Sequence, residues 1–158
     1  MTDPCELSAV EARRLIGEGE LSPVELFDAC QERIEEINPA VNAVVAERFE
    51  AAQLEAQAAE AAVSKGEPLG ALHGLPIGVK DANEVAGLRS TYGSLIYKDN
   101  VPDEDEGLVK AVRSNGAIVM GKTNTPEFTA GANTVNLVYG ATCNPFDTEL
   151  TCGGSSGG

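Results

Sequence analysis

Helix-forming and strand-forming segments alternate along this chain, and no other feature constrains its fold as strongly. Residues 1–66 contain three helical patterns, and the short apolar segments 75–79 and 117–120 are typical of buried strands. Between those strands, residues 107–115 are helical in pattern and end at Gly116. Alternating elements of this kind pack as helical layers on a sheet. We therefore predict an α/β fold with a largely parallel or mixed sheet.

Two capping boxes mark the starts of the first two helices. In each box a serine is followed three residues later by a glutamate, a pattern typical of a helix N-terminus. The second helix is predicted to end before Pro39, because proline breaks a helix interior. Residues 41–46 are predicted to be extended, and residues 47–64 to form an alanine-rich helix. The capping pairs are Ser8 with Glu11, and Ser22 with Glu25.

Lys80 directly follows an apolar segment, residues 75–79, and so is predicted to lie at the end of a strand. Strand ends commonly carry catalytic groups in α/β folds. An apolar environment lowers the pKa of a lysine, and the neutral amine can then accept a proton. A pairing with Asp81 would keep Lys80 charged, but successive strand residues point to opposite faces. For a lysine considered alone, a solvated or structural role is the ordinary interpretation.

The last six residues of the sequence, 153–158, read Gly-Gly-Ser-Ser-Gly-Gly. Glycine allows the backbone to approach other groups closely, so a flanked serine can be aimed by its backbone. Serine needs an adjacent base to become nucleophilic, and lysine serves that purpose in some hydrolases. Flexible linkers have the same composition, so the segment alone leaves both interpretations open. His73 is the only histidine and supports a histidine-based triad only thinly.

Five ordered segments together resemble the amidase signature family of hydrolases, and the helical stretch before them is also similar. The resemblance implies one large domain with a mixed central sheet flanked by helices. Residues 1–158 would be its N-terminal portion, with a helical region over 1–66 and a motif-bearing α/β region over 67–158. The segments are residues 73–81, 91–94, 121–128, 139–140 with 144–147, and 153–158.

The same resemblance implies catalytic roles for residues of this sequence. Lys80 would be the general base, and Ser155 the bridging serine that follows a cis peptide bond from Gly154. Ser156 would support their hydrogen-bond network. The family's attacking serine lies a few dozen residues beyond the position of Ser155. It is therefore not present in this chain, and the 158 residues alone are expected to be inactive.

In the family, such an enzyme hydrolyses a carboxamide C–N bond through an acyl-enzyme, with neither metal nor organic cofactor. The expected partner is thus a small-molecule amide, and a homodimer is left open. One alternative is the amidase subunit of a tRNA-dependent glutamyl/aspartyl amidotransferase, which would require partner subunits. Another is a noncatalytic binding or scaffold module that ends at Gly158.

The formal net charge of −14 argues against nucleic acid and anionic membranes as direct partners. The acidic run 103–106 could suggest a cation site, but it precedes a predicted helix. We expect a solvated run that complements the helix dipole, and no metal site.

Three further patterns have ordinary interpretations. The four cysteines form no C-x-x-C pair, which favours reduced thiols in a cytoplasmic protein and disfavours zinc. Cys152 is a weaker candidate nucleophile, since nothing nearby in sequence would lower its pKa. Residues 116–123 formally match a phosphate-binding loop, but their apolar centre predicts a buried strand.

Overall fold

A computed structural model describes residues 3–158, so Met1 and Thr2, the start of the predicted helical region, lie outside the described part. Helices and strands alternate as predicted; one single turn of 3₁₀ helix precedes the first α-helix, and two more lie between later elements. The α-helices are α1 (Ala9–Glu18), α2 (Pro23–Val41), α3 (Phe49–Ser64) and α4 (Gly107–Ser114). The strands are β1 (Val44–Glu47), β2 (Pro76–Lys80), β3 (Ile118–Thr123), β4 (Val135–Asn136), β5 (Gly140–Ala141), β6 (Cys143–Asn144) and β7 (Asp147–Thr151).

The main sheet has three strands in the order β1-β3-β2 and is mixed. β1 runs antiparallel to β3. Beside β2, Ile118 N donates to Leu75 O, and Asp81 N donates to Thr123 O. From the first bond to the second, the residue numbers increase on both strands, so β2 and β3 run parallel. The α/β class with a mixed sheet is therefore confirmed, and β4-β5 and β6-β7 add two small antiparallel hairpins.

Both predicted helix starts are confirmed, although each serine–glutamate pair forms only one half of the reciprocal capping box. Ser8 Oγ accepts from Glu11 N at 3.2 Å, and Gly19 closes α1 in a left-handed conformation with φ 73°. At the start of α2, Ser22 N donates to Glu25 Oε2 at 3.0 Å, and Ser22 Oγ accepts from Val24 N. Each serine side chain thus accepts from one of the first N–H groups of its helix, which the helical ladder leaves without a partner.

Helix α2 continues through Pro39 to Val41, so the predicted end before Pro39 is wrong. Proline removes one bond of the helical ladder. The ladder resumes beyond it, because Asn42 N donates to Asn38 O at 2.8 Å. The side-chain oxygen of Asn38 also accepts from Ala43 N at 2.8 Å, which ties the helix end to the next loop. A proline in the last turn is therefore tolerated, whereas one in the middle would break the helix.

The chain forms two compact units that interleave along the sequence. The first comprises residues up to Ile34 together with Arg48–Ile77 and Lys110–Met120. Its core contains Phe27, the largest fully buried side chain, against three alanines of α3. Ala52, Ala56 and Ala59 have small side chains, which let α3 pack closely against Phe27.

The second unit comprises Glu35–Glu47, Gly78–Val109 and Gly121–Gly158. It contains Lys80 and the segment 153–158, and its interior is unusually polar. Buried polar groups normally require hydrogen-bond partners, so this interior should be held by specific bonds. Its buried polar side chains are Asp81, Ser90, Thr91, Ser94, Lys122, Asn124, Thr125, Thr134, Asn136 and Thr142.

Among the described residues, none of the helices combines the length and the apolar character that a transmembrane helix requires.

Candidate active site

Lys80 is the last residue of β2, as predicted, and its side chain is half-buried. Its Nζ donates to Ser155 Oγ at 2.8 Å and to Ser156 Oγ at 3.3 Å. Burial lowers the pKa of the Lys80 amine below its ordinary value. Both of these hydrogen-bond partners are uncharged hydroxyls. The site therefore favours the neutral amine more than water does.

Ser155 lies in a loop whose backbone is held from several sides. The Gly154–Ser155 peptide bond is cis. Gly153 O accepts from both N and Oγ1 of Thr134, at 2.8 and 2.9 Å. Thr125 Oγ1 donates to Ser155 O at 3.2 Å. These bonds hold the carbonyls of Gly153 and Ser155, on either side of the cis peptide, and so hold the backbone from which Ser155 Oγ projects.

The glycines after the serines permit close packing of this loop. A Cβ built on Gly157 would lie 2.2 Å from Thr134 Oγ1, and one on Gly158 would lie 2.2 Å from Thr123 Cβ. Real Cβ atoms do not approach so closely. These glycines are therefore required for close contact with neighbouring segments of the same chain, unlike glycines in a free linker.

Asn124 links the loop of residues 153–158 to neighbouring segments through hydrogen bonds. Its backbone O accepts from Gly157 N, and its Oδ1 accepts from Asn136 Nδ2 at 2.7 Å. Its Nδ2 donates to Thr142 Oγ1 at 2.9 Å. Sequence reasoning missed the supporting roles of Thr125, Thr134, Asn136 and Thr142. Asn124 and Thr125 lie in one of the five motif segments, whereas Thr134, Asn136 and Thr142 carry no local signal.

Asp81 does not pair with Lys80. It is fully buried, and its carboxylate accepts from Thr91 N, Thr91 Oγ1 and Gly93 N at 3.0, 2.6 and 3.1 Å. Segment 91–94 in turn contacts segment 121–128, because Ser94 Oγ donates to Glu127 Oε1 at 2.7 Å. The structure thus brings several of the motif segments together around Lys80.

The formal phosphate-binding match runs through β3, as its apolar centre predicted. Lys122 lies within the strand and is fully buried. Its Nζ donates to Ser90 Oγ at 2.7 Å and also to Asn83 O. A lysine that is enclosed in this way has no open loop in which to meet a phosphate.

The other candidate nucleophiles and bases have different partners. His73 Nε2 lies 3.0 Å from Ala59 O, within the first unit. Since a carbonyl only accepts, Nε2 must carry the proton in this bond. Cys152 Sγ donates to the adjacent Gly153 O at 3.3 Å. The four cysteines are free thiols.

The acidic run is only partly solvated, which corrects the expectation for residues 103–106. Asp103 and Glu104 are exposed, but Asp105 and Glu106 are half-buried. Asp105 Oδ1 accepts from Ala86 N at 2.8 Å, and Glu106 Oε1 accepts from Asn83 Nδ2 at 2.6 Å. The backbone fold of the 83–86 loop, which sequence patterns do not specify, supplies these donors. Among residues 3–158, no group of three or more His, Cys, Asp or Glu side chains could hold a metal ion.

Comparisons with known proteins give one consistent family. Residues 25–158 match the family described as Amidase. The chain is 41% identical over 151 residues to an indoleacetamide hydrolase of Bradyrhizobium diazoefficiens, and covers 29% of that protein and 96% of itself. It is 37% identical over its full length to a glutamyl-tRNA(Gln) amidotransferase subunit of Acidothermus cellulolyticus, of which it covers 31%.

A solved structure agrees with these relatives. The crystal structure of a bacterial aryl acylamidase of the amidase signature family superposes with a TM-score of 0.87 at 32% identity. The match covers 96% of this chain and 32% of the acylamidase. The chain thus spans about a third of the length of the proteins that it matches.

Proposed function

The chain belongs to the amidase signature family, and from this premise we propose that it carries the proton-transfer part of an amidase active site. The whole protein would hydrolyse the C–N bond of a small carboxamide. Lys80 would act as the general base and Ser155 as the bridging serine, while Ser156 would support the network. The observation that carries this proposal is the 2.8 Å contact between Lys80 Nζ and Ser155 Oγ.

The geometry supports a proton relay between these two side chains. While its amine is charged, Lys80 donates to Ser155, and once neutral it can accept the hydroxyl proton instead. Ser155 would then take a proton from the attacking serine, which the family resemblance locates beyond residue 158. That serine would bond to the carbonyl carbon and form an acyl-enzyme. The amine would leave with a proton, and water would release the carboxylate.

The hydrogen bonds that hold the loop around Ser155 explain why such a relay can be kept in place. A general base must lie within hydrogen-bond distance of the proton that it removes. Thr134 and Thr125 fix the backbone on either side of Ser155, and β2 fixes Lys80. Two rigid elements thus present the two side chains to each other. No organic cofactor is needed for this chemistry.

The experiment measures amide hydrolysis by the full-length protein that contains these residues, with aryl and aliphatic carboxamides that include indole-3-acetamide. We expect Lys80→Ala to lower kcat/KM by at least about 100-fold, since general base catalysis contributes roughly 10²–10⁴-fold. Lys65→Ala is the matched control, because Lys65 is an exposed lysine in the same chain. Near-normal turnover by a folded Lys80→Ala protein would overturn the proposed mechanism.

A second variant separates the relay from the base. Ser155→Ala keeps Lys80 but removes the hydroxyl between it and the attacking serine. We expect the acylation rate, measured by mass spectrometry of the acyl-enzyme, to fall about as much as kcat/KM falls in Lys80→Ala. An unchanged acylation rate would remove Ser155 from the mechanism while leaving Lys80 in it.

A second candidate function is favoured by a specific similarity. The chain is 37% identical over its full length to an amidotransferase subunit that is named for glutamyl-tRNA(Gln). The same Lys80–Ser155 pair would then release ammonia from an amide for use by partner subunits. Stable co-purification of such subunits, with ammonia transfer to a charged tRNA, would identify this function. Hydrolysis of small amides by the protein alone would favour the first.

A further inference from the structure

Two buried charges lie next to Lys80 without contacting its amine: the carboxylate of Asp81 and the ammonium of Lys122. Both side chains are fully buried. Asp81 is the next residue in the chain after Lys80, and Lys122 lies on β3, which neighbours β2. The relay described above uses neither of them, so their burial needs a separate explanation.

The first charge ties the end of β2 to a neighbouring turn. Asp81 N donates to Thr123 O at 2.8 Å, which continues the sheet one residue beyond Lys80. The Asp81 carboxylate accepts three hydrogen bonds from Thr91 and Gly93, at 2.6 to 3.1 Å. Hydrogen bonds to a charged acceptor are among the stronger ones in proteins. The backbone immediately after Lys80 is thus anchored at both its N–H and its side chain.

The second charge, Lys122, connects the same two segments through other atoms. A turn follows Lys80, in which Asn83 N donates to Lys80 O at 2.8 Å. Lys122 Nζ donates to Asn83 O at the end of that turn. It also donates to Ser90 Oγ at 2.7 Å, one residue before Thr91. Asp81 and Lys122 therefore connect the turn after Lys80 to segment 90–93 by independent bonds.

Three carboxylates act on the buried ammonium of Lys122. Burial lowers the pKa of Lys122 to about 8, while the carboxylates of Asp81, Glu106 and Glu84 act in the opposite direction. Glu106 also accepts from Asn83 Nδ2, and Glu84 accepts from Tyr92 Oη. Removing one member of a buried, paired set leaves the others uncompensated. Removing either charge therefore also changes the electrostatic surroundings of the other, although their hydrogen bonds are separate.

We infer that Asp81 and Lys122 are positioning residues for the proposed base, and that they hold the backbone after Lys80 so that its Nζ stays within reach of Ser155. This inference rests on the proposed function, since it assigns both residues to the action of Lys80. Displacing a reacting group by about 1 Å can lower the rate about 100-fold. A base on a strand end needs such bracing, because the strand ladder holds it on one side only.

The test uses the full-length protein with Asp81→Asn and Lys122→Met, both close in size to the native side chains. We expect kcat to fall about 10- to 100-fold in each, with little change in KM. We also expect the midpoint of the rising limb of the pH–rate profile to move to higher pH in both variants. A displaced Lys80 would be better solvated, which would raise the pKa of its amine. Glu55→Gln is the matched control, since it breaks the half-buried ion pairs of Glu55 with Arg48 and Arg113 elsewhere.

The direction of the pH shift distinguishes positioning from simple electrostatics. Removing the negative Asp81 would by charge alone lower the pKa of Lys80, whereas removing the positive Lys122 would raise it. Opposite shifts in the two variants would therefore overturn the positioning role. Wild-type kcat and an unmoved midpoint, with a stability loss like that of Glu55→Gln, would do the same.

Milder variants keep the inference testable if the buried charges are needed for folding. Thr91→Val removes the hydroxyl bond to Asp81, and Ser90→Ala removes one bond to Lys122, without any change of charge. We expect smaller losses of kcat in the same direction, of about 3- to 10-fold, the range of one weakened hydrogen bond. If both folded variants keep the wild-type kcat and pH profile, the inference is wrong.

The Lys80→Ala variant tests the proposed function separately. If wild type hydrolyses amides and Lys80→Ala does not, the proposed function stands whatever the Asp81 and Lys122 variants do. If Lys80→Ala retains activity, the proposed function fails, and the positioning role fails with it because Lys80 is then not the base.

Discussion

At the scale of single residues, Lys80 differs from an ordinary surface lysine in its surroundings. Its amine donates to two serine hydroxyls, and burial lowers its pKa. The nearest carboxylate in sequence, Asp81, is engaged by Thr91 and Gly93. A surface lysine beside a carboxylate would be held charged at neutral pH. Lys80 is instead closer to the state in which it can accept a proton.

This difference predicts a pH dependence of the reaction. Only the neutral amine accepts a proton. The kcat/KM of the full-length protein should therefore rise with pH through the pKa that Lys80 has in the substrate-free protein. Because burial lowers that pKa, the midpoint should lie below the ordinary lysine value of 10.5. Initial rates measured from mildly acidic to strongly basic pH locate it. Lys80→Arg, which stays charged, should lose the rising limb, and a flat wild-type profile would contradict a lysine base.

At the scale of elements, the loop of residues 153–158, called the serine loop below, is positioned by its neighbours. Its carbonyls and N–H groups bond to Thr134, Thr125 and Asn124, which lie on or next to other elements of the same unit. The glycine at 157 allows this contact, because a Cβ there would overlap Thr134. The loop is thus a packed element, and Thr134 and Gly157 form one of the close contacts that hold it.

This packing predicts that Gly157→Ala displaces the loop. A new Cβ would lie 2.2 to 2.3 Å from three atoms of the Thr134 side chain, so that side chain must move. Since the same threonine holds Gly153 O, we expect kcat to fall at least about 10-fold, as for a small misplacement of catalytic groups. Gly107→Ala is the control, because a Cβ there meets nothing within 4 Å.

The control should behave differently for a physical reason. Gly107 is the first residue of α4, where alanine is a better helix former by up to about 1 kcal/mol. We expect unchanged activity and equal or slightly higher thermal stability in that variant. Equal activity of the two alanine variants would show that close packing at Gly157 is not needed.

At the scale of the whole molecule, the two units are built differently. The first has an apolar core with one large aromatic side chain among alanines, whereas the second has a hydrogen-bonded polar interior. Removing a large side chain from the first unit should therefore lower stability without altering the chemistry of Lys80. The candidate site lies in the polar unit.

This contrast predicts the effect of Phe27→Ala. Phe27 is fully buried, so truncation should lower the free energy of unfolding by about 3–5 kcal/mol. Urea-induced unfolding of the full-length protein measures it. The control is Val10→Ala in α1, at a side chain that is 82% exposed, for which we expect less than about 0.5 kcal/mol. An unchanged pH–rate midpoint in folded Phe27→Ala would separate stability from catalysis.

The local sequence determined what depends on neighbouring residues. The capping boxes of Ser8 and Ser22, the strand that ends at Lys80 and the helix stop at Gly116 all follow from short-range chemistry. The family motifs also identified Lys80 and Ser155 as candidates. Propensities overstated the effect of Pro39, because a proline in a last turn loses only one ladder bond.

Only the tertiary structure decided which distant side chains meet. It placed Lys80 beside Ser155, 75 residues later in the chain, and supported the serine loop with Thr134. It also buried Lys122 and Asp81 and used half of the acidic run to cap the 83–86 loop. Such contacts depend on how strands and loops pack, and a hydrogen bond between residues far apart in sequence leaves no periodic pattern. The four α-helices and the three strands of the main sheet were therefore readable from the sequence, while the two small hairpins and the network that holds the site were not.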